Sequence, residues 1–187
     1  MHRLLAIALV VACGGTQATP DRPAPGSAAA GAASTAAADD AAGEGPVADV
    51  DVPIEPVALQ AWLADGGYKA WPHESGKHES AGPHGDAVLT FLAPALVASL
   101  RRGKGHAHPK GVAAVKELYE KGKMSGWAVS VKLADDSADG RNWYWYEVFS
   151  TARDARATYQ GVGFEVCRDC HSERGGYDHV QSPFPLP

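Results

Sequence analysis

Two cysteines separated by two residues, with a histidine directly after them, occur as Cys167-Arg168-Asp169-Cys170-His171, and only sixteen residues follow. The pattern matches the attachment signature of c-type haem. One turn of backbone lets both sulfurs add to the two vinyl groups of one porphyrin while the adjacent imidazole reaches the iron from one face. Cys167 and Cys170 are therefore the expected attachment points and His171 the expected iron ligand. The expected cofactor is a single covalent haem c with its iron. The position of the motif also constrains the fold, because small helical c-type carriers place it near the N-terminus and draw a second axial ligand from a methionine far downstream. Here no methionine follows the motif, and Met124 is the only one after Met1.

Other chemistries use the same pair of thiols. A structural zinc site needs two further thiolate or imidazole ligands at suitable spacing, and the chain has no second such pair. A redox dithiol wants a low-pKa cysteine opening a helix after a strand, and it leaves His171 without a role. The dithiol stands as the alternative to haem.

The third cysteine belongs to a different signal. Met1-His2-Arg3 and the apolar run Leu4 to Ala12 have the form of a signal peptide. Val10-Val11-Ala12-Cys13-Gly14 resembles a bacterial lipobox, which implies cleavage before Cys13 and lipidation of its thiol. Glycine in place of aspartate after the cysteine favours a periplasmic lipoprotein held in the outer membrane. An ordinary secreted protein with a chance cysteine is the alternative. With Cys13 lipidated and the other two on haem, no thiol is left for a disulfide.

Residues 14–51 are mostly Ala, Gly, Pro, Ser, Thr and Asp. Such a segment cannot bury enough surface to offset its conformational entropy and is expected to be a disordered tether. One folded domain is expected over residues 52–187. A net charge of −5 with 21% charged residues gives no basic surface for nucleic acid, and no apolar run is long enough for a mature transmembrane helix.

Within the domain, Pro56 begins a helix with Leu59, Trp62 and Leu63 on one face, closed by Gly66-Gly67. A polar loop follows with His73, His78 and His84, histidines whose spacing fits no regular element and which read as solvated. Residues 87–92 read as a strand and 94–102 as a short helix closed by Gly103. Residues 111–119 lead through the turn Lys121-Gly122-Lys123 into a strand placing Trp127, Val129, Val131 and Leu133 on one face. After a turn at Asp139-Gly140 comes an aromatic strand, Trp143-Tyr144-Trp145-Tyr146-Glu147-Val148-Phe149. The expected fold class is α+β, a small domain dominated by an antiparallel sheet with a few short helices and a C-terminal haem site. Pro183 to Pro187 resists regular structure and is expected to pack as a strap.

The order of motifs resembles the cytochrome P-460 family, including the cytochromes c-prime-beta. The likeness runs through His84-Gly85, Val115-Lys116-Glu117-Leu118, Ser130-Val131-Lys132, Asn142-Trp143-Tyr144-Trp145, the haem motif, and Tyr177-Asp178-His179-Val180. It implies a five-coordinate haem with His171 as the proximal ligand, and dimerisation. It also implies that Lys116 lies at, or is bonded to, the porphyrin edge, which makes it the candidate catalytic residue. Alternation gives a modest reason of its own: Lys116 shares a face with Val112, Ala114 and Leu118, where burial lowers an amine's pKa and makes it nucleophilic. At a sheet edge the lysine would simply reach out into water.

The chain departs from hydroxylamine-oxidising members at two places. Where those carry a distal carboxylate, alignment on Ser130-Val131-Lys132 places Ala128, and where they carry an arginine this chain reads Ala87-Val88-Leu89. Alanine cannot accept a proton, so Glu117, Asp135 and Glu147 are the candidates to replace that base. The distal pocket is expected around Ala128 and Phe91, with the sixth position open. His84, His106, His108 and Met124 are the side chains that could cap it. The expected function is redox chemistry on a small nitrogen compound such as hydroxylamine or nitric oxide, with a periplasmic electron donor or acceptor. The alternatives are a non-catalytic gas-binding haem protein and a six-coordinate electron carrier.

Overall fold

The computed structural model describes residues 51–173 and 176–186. The expected signal peptide, Cys13 and nearly all of the expected tether lie outside the described residues. Ten elements follow in order: α1 (Pro56–Ala64), β1 (His78–Glu79), β2 (Ala87–Leu92), α2 (Pro94–Arg101), β3 (Ala113–Glu120), β4 (Lys123–Lys132), a 3-10 turn (Ala138–Gly140), β5 (Trp143–Val148), β6 (Tyr159–Val162) and α3 (Glu165–Glu173). The strands form one sheet in the order β1-β2-β3-β4-β5-β6, antiparallel throughout. The α+β expectation and its antiparallel meander thus hold. No described helix is long and apolar enough to cross a membrane.

Local chemistry explains the boundaries. Pro56 starts α1, where its missing N–H costs nothing, and the Glu55 carboxylate accepts from Ala58 N at 2.9 Å. Pro94 does the same for α2, and Gly103, at φ +82°, ends it. Glu120 pairs with Lys123, so Lys121-Gly122 is a two-residue hairpin loop with positive φ at both positions (48° and 78°), as the right-handed strand twist favours.

The sheet separates two environments. On one face Phe91, Val115, Trp127, Val129, Val131, Tyr144, Tyr146 and Val148 join Leu59 and Leu63 of α1 in the hydrophobic core. Trp62 is only partly buried at its margin. This face also carries a buried polar network: the Tyr68 hydroxyl donates to Glu117 at 2.5 Å and accepts from Trp127 Nε1 at 2.8 Å. Lys69 and Tyr119 also donate to Glu117. Burial would raise the Glu117 carboxyl, but these hydrogen bonds outweigh it and hold it below its ordinary value.

Ladder register brings Thr90, Lys116, Ala128, Glu147 and Tyr159 into one row across the other face. Each belongs to a different strand, and all five line the same cavity.

Candidate functional site

The cavity of about 450 Å³ lies between this second face and the segment that follows β6. Its far wall is α3 with residues 179–182, and its volume is within the range of small-molecule and cofactor sites. Cys167, Cys170 and His171 fall at positions i, i+3 and i+4 of α3, so the helix turns all three toward one side. All three line the cavity, as does Lys116 from the opposite sheet. The sequence-predicted site residues therefore converge on one place.

His171 is held in a defined tautomer. Its Nδ1 lies 2.8 Å from the His179 carbonyl, which can only accept, so Nδ1 carries the proton and Nε2 is left as the basic nitrogen. Burial, reinforced by the nearby Lys116 and His84, pushes its pKa down to about 4, against the opposing pull of the His179 carbonyl. The imidazole is thus neutral at physiological pH, the form that binds a metal. Trp145 packs against it with ring centroids 4.6 Å apart.

The Cys167 thiol is unlike the nucleophile of a redox pair. Burial, with the charges of Glu147 and Cys170, raises the Cys167 thiol to about 11, where a dithiol catalyst needs it lowered. Both cysteines are free. Among the described residues, no three His, Cys, Asp or Glu side chains cluster tightly enough to hold a metal ion by themselves. Two free thiols and one imidazole on a single helix face, above an apolar cavity, fit a porphyrin, which brings four nitrogen donors of its own.

Lys116 sits in β3 between Thr90 and Ala128. Desolvation lowers its pKa, partly offset by the negative charges of Glu74, Glu147 and Cys170. It is an interior strand residue, not an edge lysine reaching for water.

Glu147 carries the carboxylate of the cavity. It stands directly across from Ala128 in the β4–β5 ladder and lines the cavity, whereas Glu117 points into the α1 face and Asp135 accepts from the Lys110 backbone N–H. His84 departs from the solvated reading given to its loop: its side chain is 17% exposed, it lines the cavity, and its Nδ1 lies 2.6 Å from Glu147 Oε1. His73 and His78 do remain exposed. His106 and His108 are elsewhere, packed on Tyr177. Phe91 belongs to the α1 face, where it meets Tyr68 edge to face, and Met124 packs against the core; neither lines the cavity.

A second cluster braces the C-terminal wall. Lys132, fully buried, donates to Asp178 Oδ2 and to Ser137 Oγ, both at 2.6 Å, and His108 N–H donates to Asp178 Oδ2 at 2.6 Å. Burial acts to raise the Asp178 carboxyl, and these bonds more than reverse that and hold it low. Asp178 immediately precedes the residue whose carbonyl fixes His171. Sequence inspection singled out neither Lys132 nor Asp178 for this role; a lysine alternating with cavity-facing Ala128 and Ser130 was the available signal.

No family model matches the chain, and no curated protein matches it.

Proposed function

We propose that this chain is a c-type haem protein of the cytochrome P-460 kind that carries out redox chemistry on a small nitrogen compound, hydroxylamine or nitric oxide, and exchanges electrons with a periplasmic partner. The observation that supports it is the convergence of Cys167, Cys170, His171 and Lys116 on one apolar cavity, with His171 Nε2 left basic. Cys167 and Cys170 would hold haem c covalently, His171 would ligate iron, and Lys116 would lie at the porphyrin edge. Haem supplies a redox-active iron that can bind a small ligand. The chain's own residues orient the proximal imidazole through the His179 carbonyl, exclude water with Trp145 and Ala128, and offer the Glu147 carboxylate as a proton acceptor. The lipidated Cys13 would tether the domain to the periplasmic side of the outer membrane, and a homodimer is the assembly the resemblance implies.

Electron transfer by a six-coordinate haem is a second reading, and one observation favours it: the rings of His84 and His171 lie 6.3 Å apart, centroid to centroid.

The test is to mature the full chain with a c-type haem assembly system, then measure intact mass and the optical spectrum of the reduced form. One haem per chain, lost in Cys167→Ser/Cys170→Ser, and hydroxylamine oxidation with an added electron acceptor are expected. A strongly red-shifted Soret band lost in Lys116→Met would support a bond from Lys116 to the porphyrin. Colourless, haem-free protein would overturn the proposal.

A further inference from the structure

We infer that His84, held by Glu147, is a displaceable sixth ligand to the haem iron, so that a small molecule gains the iron only by expelling this imidazole. The inference rests on the haem reading above and goes beyond it, since the resemblance implies an open distal position.

Three observations carry it. First, His84 and His171 both line the cavity, and their ring centroids are 6.3 Å apart with planes crossing at 67°. Two imidazoles bound to one metal ion from opposite sides, through bonds of about 2.0–2.1 Å and with ring radii of about 1.1 Å, place their centroids roughly 6 Å apart. A distal histidine that left room for a bound ligand would sit farther away.

Second, both rings are fixed in the same tautomer. Each Nδ1 faces an acceptor, the His179 carbonyl for His171 at 2.8 Å and the Glu147 carboxylate for His84 at 2.6 Å. In each ring Nε2 is therefore the basic nitrogen. A carboxylate behind the far nitrogen is the usual arrangement around a metal-bound histidine, where it fixes the ring and raises its basicity.

Third, the backbone around His84 is anchored. Gly85, at φ +84°, approaches the Tyr119 carbonyl so closely that an added Cβ would sit 2.9 Å from its oxygen. Asp86 N–H donates to the same carbonyl at 2.9 Å, and the Asp86 carboxylate accepts from Lys121 N–H at 2.9 Å. Glu147 comes from β5, an interior strand, and is only 7% exposed. The imidazole is thus presented from a fixed point by a fixed carboxylate, yet it belongs to a loop and not to the sheet.

The experiment uses the matured, full-length holoprotein. Electron paramagnetic resonance and optical spectra of the ferric form should show a low-spin, six-coordinate haem, converted to high spin in His84→Gly and returned to low spin when imidazole is added to that variant. In the ferrous wild type, the observed rate of carbon monoxide capture should level off with gas concentration, because loss of His84 limits it. Glu147→Gln should raise that plateau about tenfold, the scale on which second-shell partners act. A high-spin wild type, or an unchanged spin state in His84→Gly, overturns the inference while leaving the haem reading standing. Should His84→Gly fail to mature, a capture rate strictly proportional to carbon monoxide overturns it from the wild type alone. Protein without covalent haem by mass would instead overturn the haem reading itself.

Discussion

Glu147 faces Ala128 directly across the β4–β5 ladder, so the carboxylate of the cavity comes from β5 and stands beside an alanine on β4. A shift of one strand moves a side chain about 4.8 Å sideways and keeps its height along the sheet. Glu147 thus lies in the row of Lys116, one strand beyond Ala128, and within hydrogen-bond reach of His84.

That geometry makes Ala128→Glu a sharp test. Two carboxylates directly opposite each other on a half-buried face repel, and such pairs are destabilising. Ala128→Glu should lower stability by about 1–3 kcal/mol, and Ala128→Glu/Glu147→Ala should recover most of it, because coupling between touching sites is of this size. Urea unfolding of the wild type, both single variants and the double variant measures the coupling. Additive effects would mean that positions 128 and 147 do not share the cavity.

The Lys132–Asp178 pair makes a second prediction, about stability. Lys132 has no exposure at all, and its removal strands Asp178 in a buried site. Lys132→Met should cost about 3–5 kcal/mol, the usual penalty for one missing partner, whereas Lys132→Met/Asp178→Leu should be much closer to wild type. Because Asp178 adjoins the residue that fixes His171, Lys132→Met should also loosen the His171 ring. Nuclear magnetic resonance of the imidazole protons would report the lost Nδ1–H protection, and unchanged protection would separate the pair from the site.

The parts of this fold that were legible in sequence are those written in local signals. Residues 87–92 form a short apolar run between Gly85-Asp86 and Pro94, and the strand ends where expected. Pro56 and Pro94 both open helices. β1 and β6 carried no such signal: β1 is two residues long, and Tyr159-Gln160-Gly161-Val162 joins the sheet only because β5 offers a free edge. The site divides the same way. Cys167, Cys170 and His171 are contiguous and announce themselves, and parity along β3 gives the face of Lys116. The role of His84 depends on a partner 63 positions away. Spacing within its own loop could not show that, and it led to the solvated reading.

Lys116 should react as an abnormal amine. Desolvation in the cavity depresses its pKa, so near neutral pH more of it is uncharged than of a surface lysine. Competitive acetylation of haem-free protein, read by peptide mass spectrometry across pH, should show Lys116 modified with a midpoint below the ordinary lysine value of about 10.4. The lowered value also means that charge on Lys116 opposes folding. Lys116→Met is accordingly expected to be neutral or stabilising in the haem-free protein, with thermal unfolding as the check. A midpoint at about 10.4 would show an amine in contact with bulk water.

His108 gives the fold a dependence on mild acid. Its ring is fully buried against Tyr177, Nδ1 lies 2.8 Å from Ser99 Oγ, and Nε2 has no hydrogen-bond partner. Burial lowers its pKa, and the charges of Lys132 and His106 add to that, while Asp178 and the Tyr177 backbone oppose it. The native value therefore lies below that of the unfolded chain, which is about 6.5. Above about pH 6.5 neither state binds the proton, and the stabilisation is complete. As pH falls through that value the unfolded chain takes up a proton that the native ring refuses, and stability drops by up to about 1.4 kcal/mol per pH unit until the native ring also titrates. His171 and His179 are depressed in the same direction, so the wild-type slope contains their contributions too. The share of His108 is isolated by His108→Gln, which should unfold more easily than wild type at pH about 8 yet lose less stability between about pH 6.5 and 5. Parallel stability curves for the two proteins would show that His108 titrates alike in the folded and unfolded chain.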